Sequence, residues 1–379
     1  MNVIPTLEVH KSFEPVAEAW ADLETVAPIS VYQTMRWLRP WTETVGVAHK
    51  ITPMLVLARA PDGTPVAIFP FGVSMAGGLR LAEYLGGKDS NANMPLFRPG
   101  VSFTRGFVTA VLTRAAQTSG LAPDAFVLSN QPETWEGGRN PMQLLPHAKS
   151  PSELHSTALQ ADFTALYETR VSTAARKKIR HKSRRLAELG ELTYLHAKTE
   201  NDVRRVLQAM FEQKQQRLAE MGVSTNFDNP LARAYFERAC LDGLEQGRPA
   251  IEMHALQVGD RIVATYSGGE HRGRFHTAVN SFDMSADVAQ RSPGELLLLE
   301  LIEALCKRGF TEFDLGIGEA RYKDQWCDRH EPLFDTLIGM TTAGRAFCFT
   351  EKNRRRLKRV IKRSAWLWPA VKKLRSRFG

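Results

Sequence analysis

Residues 274–316 constrain the fold more tightly than any other stretch. They read as a strand, Arg274-Phe275-His276-Thr277-Ala278-Val279-Asn280, then a helix through Leu296 to Leu305, then a strand, Phe310-Thr311-Glu312-Phe313-Asp314-Leu315-Gly316. Strand, helix, strand in that order makes a parallel crossover, with the positive end of the helix beside the strand ends. The helix opens at Gln290-Arg291-Ser292-Pro293-Gly294-Glu295. Ser292 suits the N-cap, Pro293 the first helical position, and Glu295 completes a capping box. Gly309 suits a left-handed stop. Gly294 is surplus to this, because glycine in a first turn costs stability unless something approaches the backbone closely. With Arg291 before it, the turn can hold an anion such as a pyrophosphate on helix N–H groups. A merely capped helix is the other reading, and the Glu295 carboxylate competes for the same positive end.

The rest of the chain predicts two copies of one α/β unit. Met54–Ala60 and Pro65–Phe71 flank the turn Pro61-Asp62-Gly63-Thr64, and Ile251–Gln257 and Arg261–Ser267 flank Val258-Gly259-Asp260. Each pair reads as a hairpin whose second strand contains Val-Ala. Residues 1–50 read as mostly helical, with Phe13, Val16, Trp20 and Leu23 at helical spacing. Residues 85–93 read as a polar loop beside a cleft, and Ala125–Leu128 as a strand. The expected division is 1–160, 161–350, and a basic amphipathic tail, 351–379.

The chain has 379 residues and a net charge of +9, but the charge is local. From Glu351 onward twelve Lys and Arg stand against one acid, a net of +11, so the remainder nets −2. That pattern argues against a protein that binds nucleic acid over its whole surface. In the tail, clustered cations alternate with Leu357, Trp366, Trp368, Val371, Leu374 and Phe378. Such a helix suits an anionic membrane surface, a docked or unfolded basic terminus being the alternative. Between the two copies, 171–190 reads as a helix with Ala175, Ile179, Leu186 and Leu189 inward and Arg176, Lys177, Arg180 and Arg184 outward. It is either a solvated basic face or a funnel for a phosphorylated ligand, which would make Arg176 and Arg180 substrate-binding residues. No eighteen-residue apolar run and no signal-peptide pattern are present. The four cysteines, Cys240, Cys306, Cys327 and Cys348, lack paired spacing for zinc, so no metal is expected. A cytoplasmic protein, peripheral on the inner face of the membrane, is the expected location.

Several motifs together resemble the FemAB/CelD-like branch of the GNAT acyltransferase superfamily. They are Tyr32-Gln33-Thr34-Met35-Arg36-Trp37, the Arg-rich helix at 176–185, Arg291-Ser292-Pro293-Gly294-Glu295-Leu296-Leu297, and Phe313-Asp314-Leu315-Gly316-Ile317-Gly318-Glu319-Ala320-Arg321-Tyr322-Lys323 with Trp326. The resemblance implies an α/β fold of tandem GNAT-like domains, with mixed central sheets flanked by helices. It implies acetyl-CoA or another acyl-CoA as donor, held through Arg291, Ser292 and Gly294 where two parallel strands splay. Pro293 departs from the commoner Gly-rich turn and removes one N–H. The implied reaction is direct transfer to an amine, and the acceptor a small molecule or a sugar- or lipid-linked precursor of the cell envelope or an exopolysaccharide. Asp314 is the expected base or amine-positioning group, with turn capping as its structural alternative. Tyr322 is the expected acid or substrate contact and Lys323 an anion contact, both otherwise packing residues. His276, a further catalytic candidate, and Asn280, a substrate contact, are expected to share one strand face. The rival donor is aminoacyl-tRNA, the one case in which nucleic acid would be a partner. The non-enzymatic rival is a degenerate, membrane-associated binding protein.

Overall fold

Both predicted hairpins form. In the computed structural model, which describes residues 5–118, 120–220, 229–318 and 320–363 except for the side chains of Arg321 and residues 360–363, Thr52–Arg59 pairs with Pro65–Ala76 around Gly63. Glu252–Val258 likewise pairs with Arg261–His271 around Gly259. These glycines carry φ of 86° and 57°, a region that glycine enters without steric cost.

The hairpins sit at equivalent places in two units of the same topology. Among the described residues, one unit comprises the chain up to Glu153 together with residues 331–363, and the other spans Leu154–His330. In the first, strand order is Thr6–His10, Thr52–Arg59, Pro65–Ala76, Leu79–Tyr84, Ala125–Pro132, Arg329–Gly339. In the second it is Leu192–Ala197, Glu252–Val258, Arg261–His271, Arg274–Phe282, Glu312–Ile317, Ala148–Ala158. Each unit holds one parallel pair, preceded by a crossover helix: Arg105–Ala116 before Ala125–Pro132, and Pro293–Lys307 before Glu312–Ile317. The final strand of each comes from beyond that linear sequence. For this reason the boundaries differ from the expected 160 and 350: Arg329–Gly339 pairs with Ala125–Pro132, Gly339 opposite Ala125, and carries the chain back into the first unit.

The described part of residues 1–50 is mostly helical, as expected, and begins with a strand, Thr6–His10, that pairs with Thr52–Arg59 at the sheet edge. The following helix, Ala17–Val26, does bury Trp20 and Leu23, as their spacing requires. The basic segment is not a separate tail from residue 351 but part of a helix, Thr342–Arg363. It packs on the first unit through Cys348, Glu351 and Arg355, whose guanidinium reaches Asp335 at 2.6 Å and Ser129 at 2.9 Å. Trp366, Trp368, Val371, Leu374 and Phe378 lie outside the described residues.

In the second unit the crossover helix buries Leu296, Leu297, Leu298, Leu301, Ile302 and Leu305 with Tyr266, Phe275 and Phe313 of the sheet. Each such side chain contributes about 1.5–3 kcal/mol on leaving water. The helix stops as predicted. The Gly309 N–H reaches Cys306 O at 3.0 Å and the Phe310 N–H reaches Leu305 O at 3.1 Å, the double bond of a Schellman turn.

Candidate functional site at a strand splay

The parallel pair in the second unit is short. Arg274, Phe275 and His276 lie opposite Glu312, Phe313 and Asp314, and there the pairing stops, although the strands continue to Phe282 and Ile317. A notch therefore opens beyond His276 and Asp314. Its geometry is shaped by a bulge: Thr277 lies opposite Gly268 but Asn280 opposite Tyr266, so one extra residue sits between them. Gly268 is required at this turn of the strand, since a Cβ there would meet His276 O at 2.4 Å.

The bulge overturns the expectation that His276 and Asn280 share a face. One inserted residue flips every later side chain. Arg274, His276, Glu312 and Asp314 therefore occupy one face, while Thr277 and Asn280 join Tyr266 on the other.

On the first face Asp314 is wholly buried and wholly engaged. Its Oδ2 accepts from His276 Nδ1 at 3.0 Å and from Arg274 Nη2 at 3.3 Å, and its Oδ1 from the Gly316 N–H at 2.7 Å. Burial works against the charge, but the Arg274 guanidinium and these donors outweigh it and hold the carboxyl at about 2. Burial lowers His276, against the pull of Asp314, so a neutral ring donates from Nδ1. Arg274 also pairs with Glu312 at 3.4 Å, which accepts from Ser156 Oγ at 2.6 Å. A carboxylate this acidic and this fully bonded is a poor proton acceptor. The network fits an anchor better than the base expected of Asp314.

On the second face Asn280 lies between two phenols, hydrogen-bonded to Tyr266 and to Tyr322. Burial raises both, so each keeps its proton at neutral pH. Lys323 stands at the strand end and donates to Gly316 O at 3.0 Å and Ile317 O at 2.9 Å. Burial lowers its ammonium to about 8, partly offset by Asp314. Cys327, nearby, is pushed by burial up to about 12 and stays a thiol.

The helix N-terminus departs from the predicted cap. Ser292 takes a left-handed conformation, φ 55° and ψ 54°, and makes no capping bond. Glu295 instead meets Lys182 Nζ at 2.5 Å. The Arg291 Nε donates to Arg185 O at 2.8 Å and its Nη1 to Asp287 O, so the guanidinium ties this turn to the last turn of the basic helix, Thr173–Ala187. A Cβ on Gly294 would meet only Phe282, at 3.7 Å, an ordinary contact. Packing within the chain does not require glycine here.

In the basic helix Ile179 and Leu186 are buried as predicted, whereas Leu189, past its end, is exposed. Arg176 pairs with Glu168 at 2.5 Å and Arg180 is exposed. Both act on Tyr167 alongside Glu295, which sets them near the crossover helix N-terminus rather than at the Asp314 network. Sequence reasoning missed Tyr266, Thr277, Arg274 and Glu312 as site members. Arg274 had a signal, a charge two residues from His276 and so on the same strand face; Tyr266 had none, because the bulge brings it opposite Asn280.

Residues 173–324 match the family profile described as an acetyltransferase (GNAT) domain. Among curated proteins none matches the chain in sequence. Among solved structures, FemX superposes with a TM-score of 0.58 at 9% identity, over 87% of this chain and 96% of that one. A conserved protein of unknown function from Bacteroides thetaiotaomicron gives 0.54 at 12% identity, over 88% of this chain and 100% of that one. L-PGS from Bacillus licheniformis gives 0.51 at 13%, over 92% of this chain and 97% of that one. At such identities the likeness is one of fold.

Proposed function

We propose, from the match of residues 173–324 to a GNAT acetyltransferase domain, that the chain moves an acyl group, acetyl in the first instance, from a CoA thioester to an amine acceptor. One conjunction carries this reading. Parallel strands part beyond His276 and Asp314, and the helix between them starts with a glycine that packing does not need. The thioester would lie in the notch and the pyrophosphate across the turn before the helix. There the Gly294 backbone, the Ser292 hydroxyl and the charge of Arg291 would face it, within a field set by Arg176, Arg180 and Lys182.

An amine attacking a thioester carbonyl forms the new C–N bond as the C–S bond breaks; the departing thiolate takes a proton from the enzyme, and the proton that the amine nitrogen sheds replaces it. Tyr322, which burial keeps protonated, is the proton donor in this reading, and Asn280 positions its phenol. Asp314, His276 and Arg274 hold the strand ends from the opposite face, and Lys323 caps them through two carbonyls. The acceptor is a sugar- or lipid-linked amine of an envelope or exopolysaccharide precursor. No described helix is long and apolar enough to cross a membrane. The Thr342–Arg363 helix exposes Phe349 and Leu357, with Arg345, Lys352, Arg354, Arg356 and Lys358 also exposed. That face suits the interface of an anionic bilayer, and supports a peripheral membrane location.

Calorimetric titration with acetyl-CoA tests the donor site. Gly294→Ala should weaken binding while leaving thermal unfolding close to wild type, because the fold has room for the added methyl. No heat with acetyl-CoA or a longer acyl-CoA would reject a CoA donor, and nuclease-sensitive transfer from charged tRNA would put aminoacyl-tRNA in its place.

A further inference from the structure

A second cluster of reactive side chains in the same unit sits on two strands outside the parallel pair. His196, on Leu192–Ala197, is directly opposite His254, on Glu252–Val258. Glu252 lies two residues before His254 and so on the same sheet face. The candidate ligand atoms of all three fall within 4.8 Å of one another. His196 Nε2 is 3.3 Å and His254 Nε2 3.6 Å from Glu252 Oε2.

We propose that His196, Glu252 and His254 form a binding site for a divalent transition-metal ion of the zinc class, with a further coordination position towards the adjoining cavity. Two imidazoles and a carboxylate are a donor set that zinc accepts. Tetrahedral zinc with bonds near 2.1 Å places neighbouring ligand atoms about 3.4 Å apart, and the two carboxylate separations match that spacing. His254 supplies an independent pointer. It is fully buried and its Nε2, directed at Glu252, has no hydrogen-bond partner. Its Nδ1 lies 2.9 Å from the Tyr194 hydroxyl, an arrangement that turns the Nε2 lone pair towards the cluster when Nδ1 donates.

Arg308 also belongs to the cluster. Its Nη1 meets Glu252 Oε2 at 2.7 Å and its Nη2 meets Oε1 at 2.8 Å. A carboxylate offers about four lone-pair directions, so Oε2 can take an ion on its histidine side while Arg308 keeps the other. The cavity, about 330 Å³, is lined by His196, Lys198, Leu244, Glu252 and Arg308, which gives the ion an entry and a coordinated water its place. The ion would clamp the edge strand Leu192–Ala197 to its neighbour.

The test uses the full chain, freed of any tag and stripped with chelator, titrated with Zn²⁺ by calorimetry and with Co²⁺ by visible absorption. The expected result is one ion per chain, a tetrahedral or five-coordinate cobalt spectrum, and a higher unfolding temperature with zinc. His196→Ala, at a partly exposed position, and Glu252→Gln should each weaken binding more than about tenfold. Acetyl-CoA binding should persist in both, which separates this site from the splay. Absence of saturable binding to the wild-type chain, or wild-type affinity in both variants, would overturn the proposal.

Discussion

Asp314 shows how a carboxylate with no exposed surface survives as an anion. Without partners, burial would raise its pKa; with Arg274, His276 and the Gly316 N–H it falls from 3.8 to about 2. The unfolded chain therefore takes up a proton at a higher pH than the folded one, and stability rises with pH across that interval. The contribution, about 2 kcal/mol, is complete above pH 4 and lost as pH falls to about 2. Urea unfolding of the wild type should lose that amount between those values, and Asp314→Asn should flatten the slope there. Tyr322 gives the kinetic counterpart. Phenylalanine keeps the ring and removes the proton, so kcat should fall about 10²- to 10⁴-fold. KM for the acyl donor should barely move. The types of both residues were legible in the chain, but their roles were not. Asp314 and Tyr322 are eight apart in sequence, yet one joins a charged network and the other a phenol–amide cluster on opposite faces.

At the scale of elements, the crossover helix was the most legible part. Its apolar spacing, Pro293 start and Gly309 stop are local physics, and Pro293–Lys307 forms accordingly. Leu301→Ala, at a fully buried position, should cost about 2–5 kcal/mol in chemical denaturation and leave the fold intact. The capping box failed because Lys182, more than a hundred residues away in sequence, takes Glu295, and Ser292 turns left-handed. The His276–Asn280 pairing failed for a related reason. Strict alternation holds only while strand register holds, and the bulge opposite Tyr266 and Gly268 breaks it.

At the scale of the whole molecule, the net charge of +9 conceals an almost neutral body and a strongly basic end. If the exposed face of Thr342–Arg363 meets lipid, the chain should sediment with anionic vesicles and be released by salt. Phe349→Ser with Leu357→Ser should weaken the association, since these two exposed side chains are its apolar contacts. Unchanged sedimentation of the double variant would remove this helix from the interface. Sequence alone determined the hairpins, the crossover helix with its stop and the presence of two similar units, because each rests on short-range periodicity and turn chemistry. Tertiary structure decided the rest. It returned residues 331–363 to the first unit, divided the splay residues between two faces, and set His196 against Glu252 and His254, more than fifty positions away. These depend on strand register, which long-range pairing sets and no local pattern encodes.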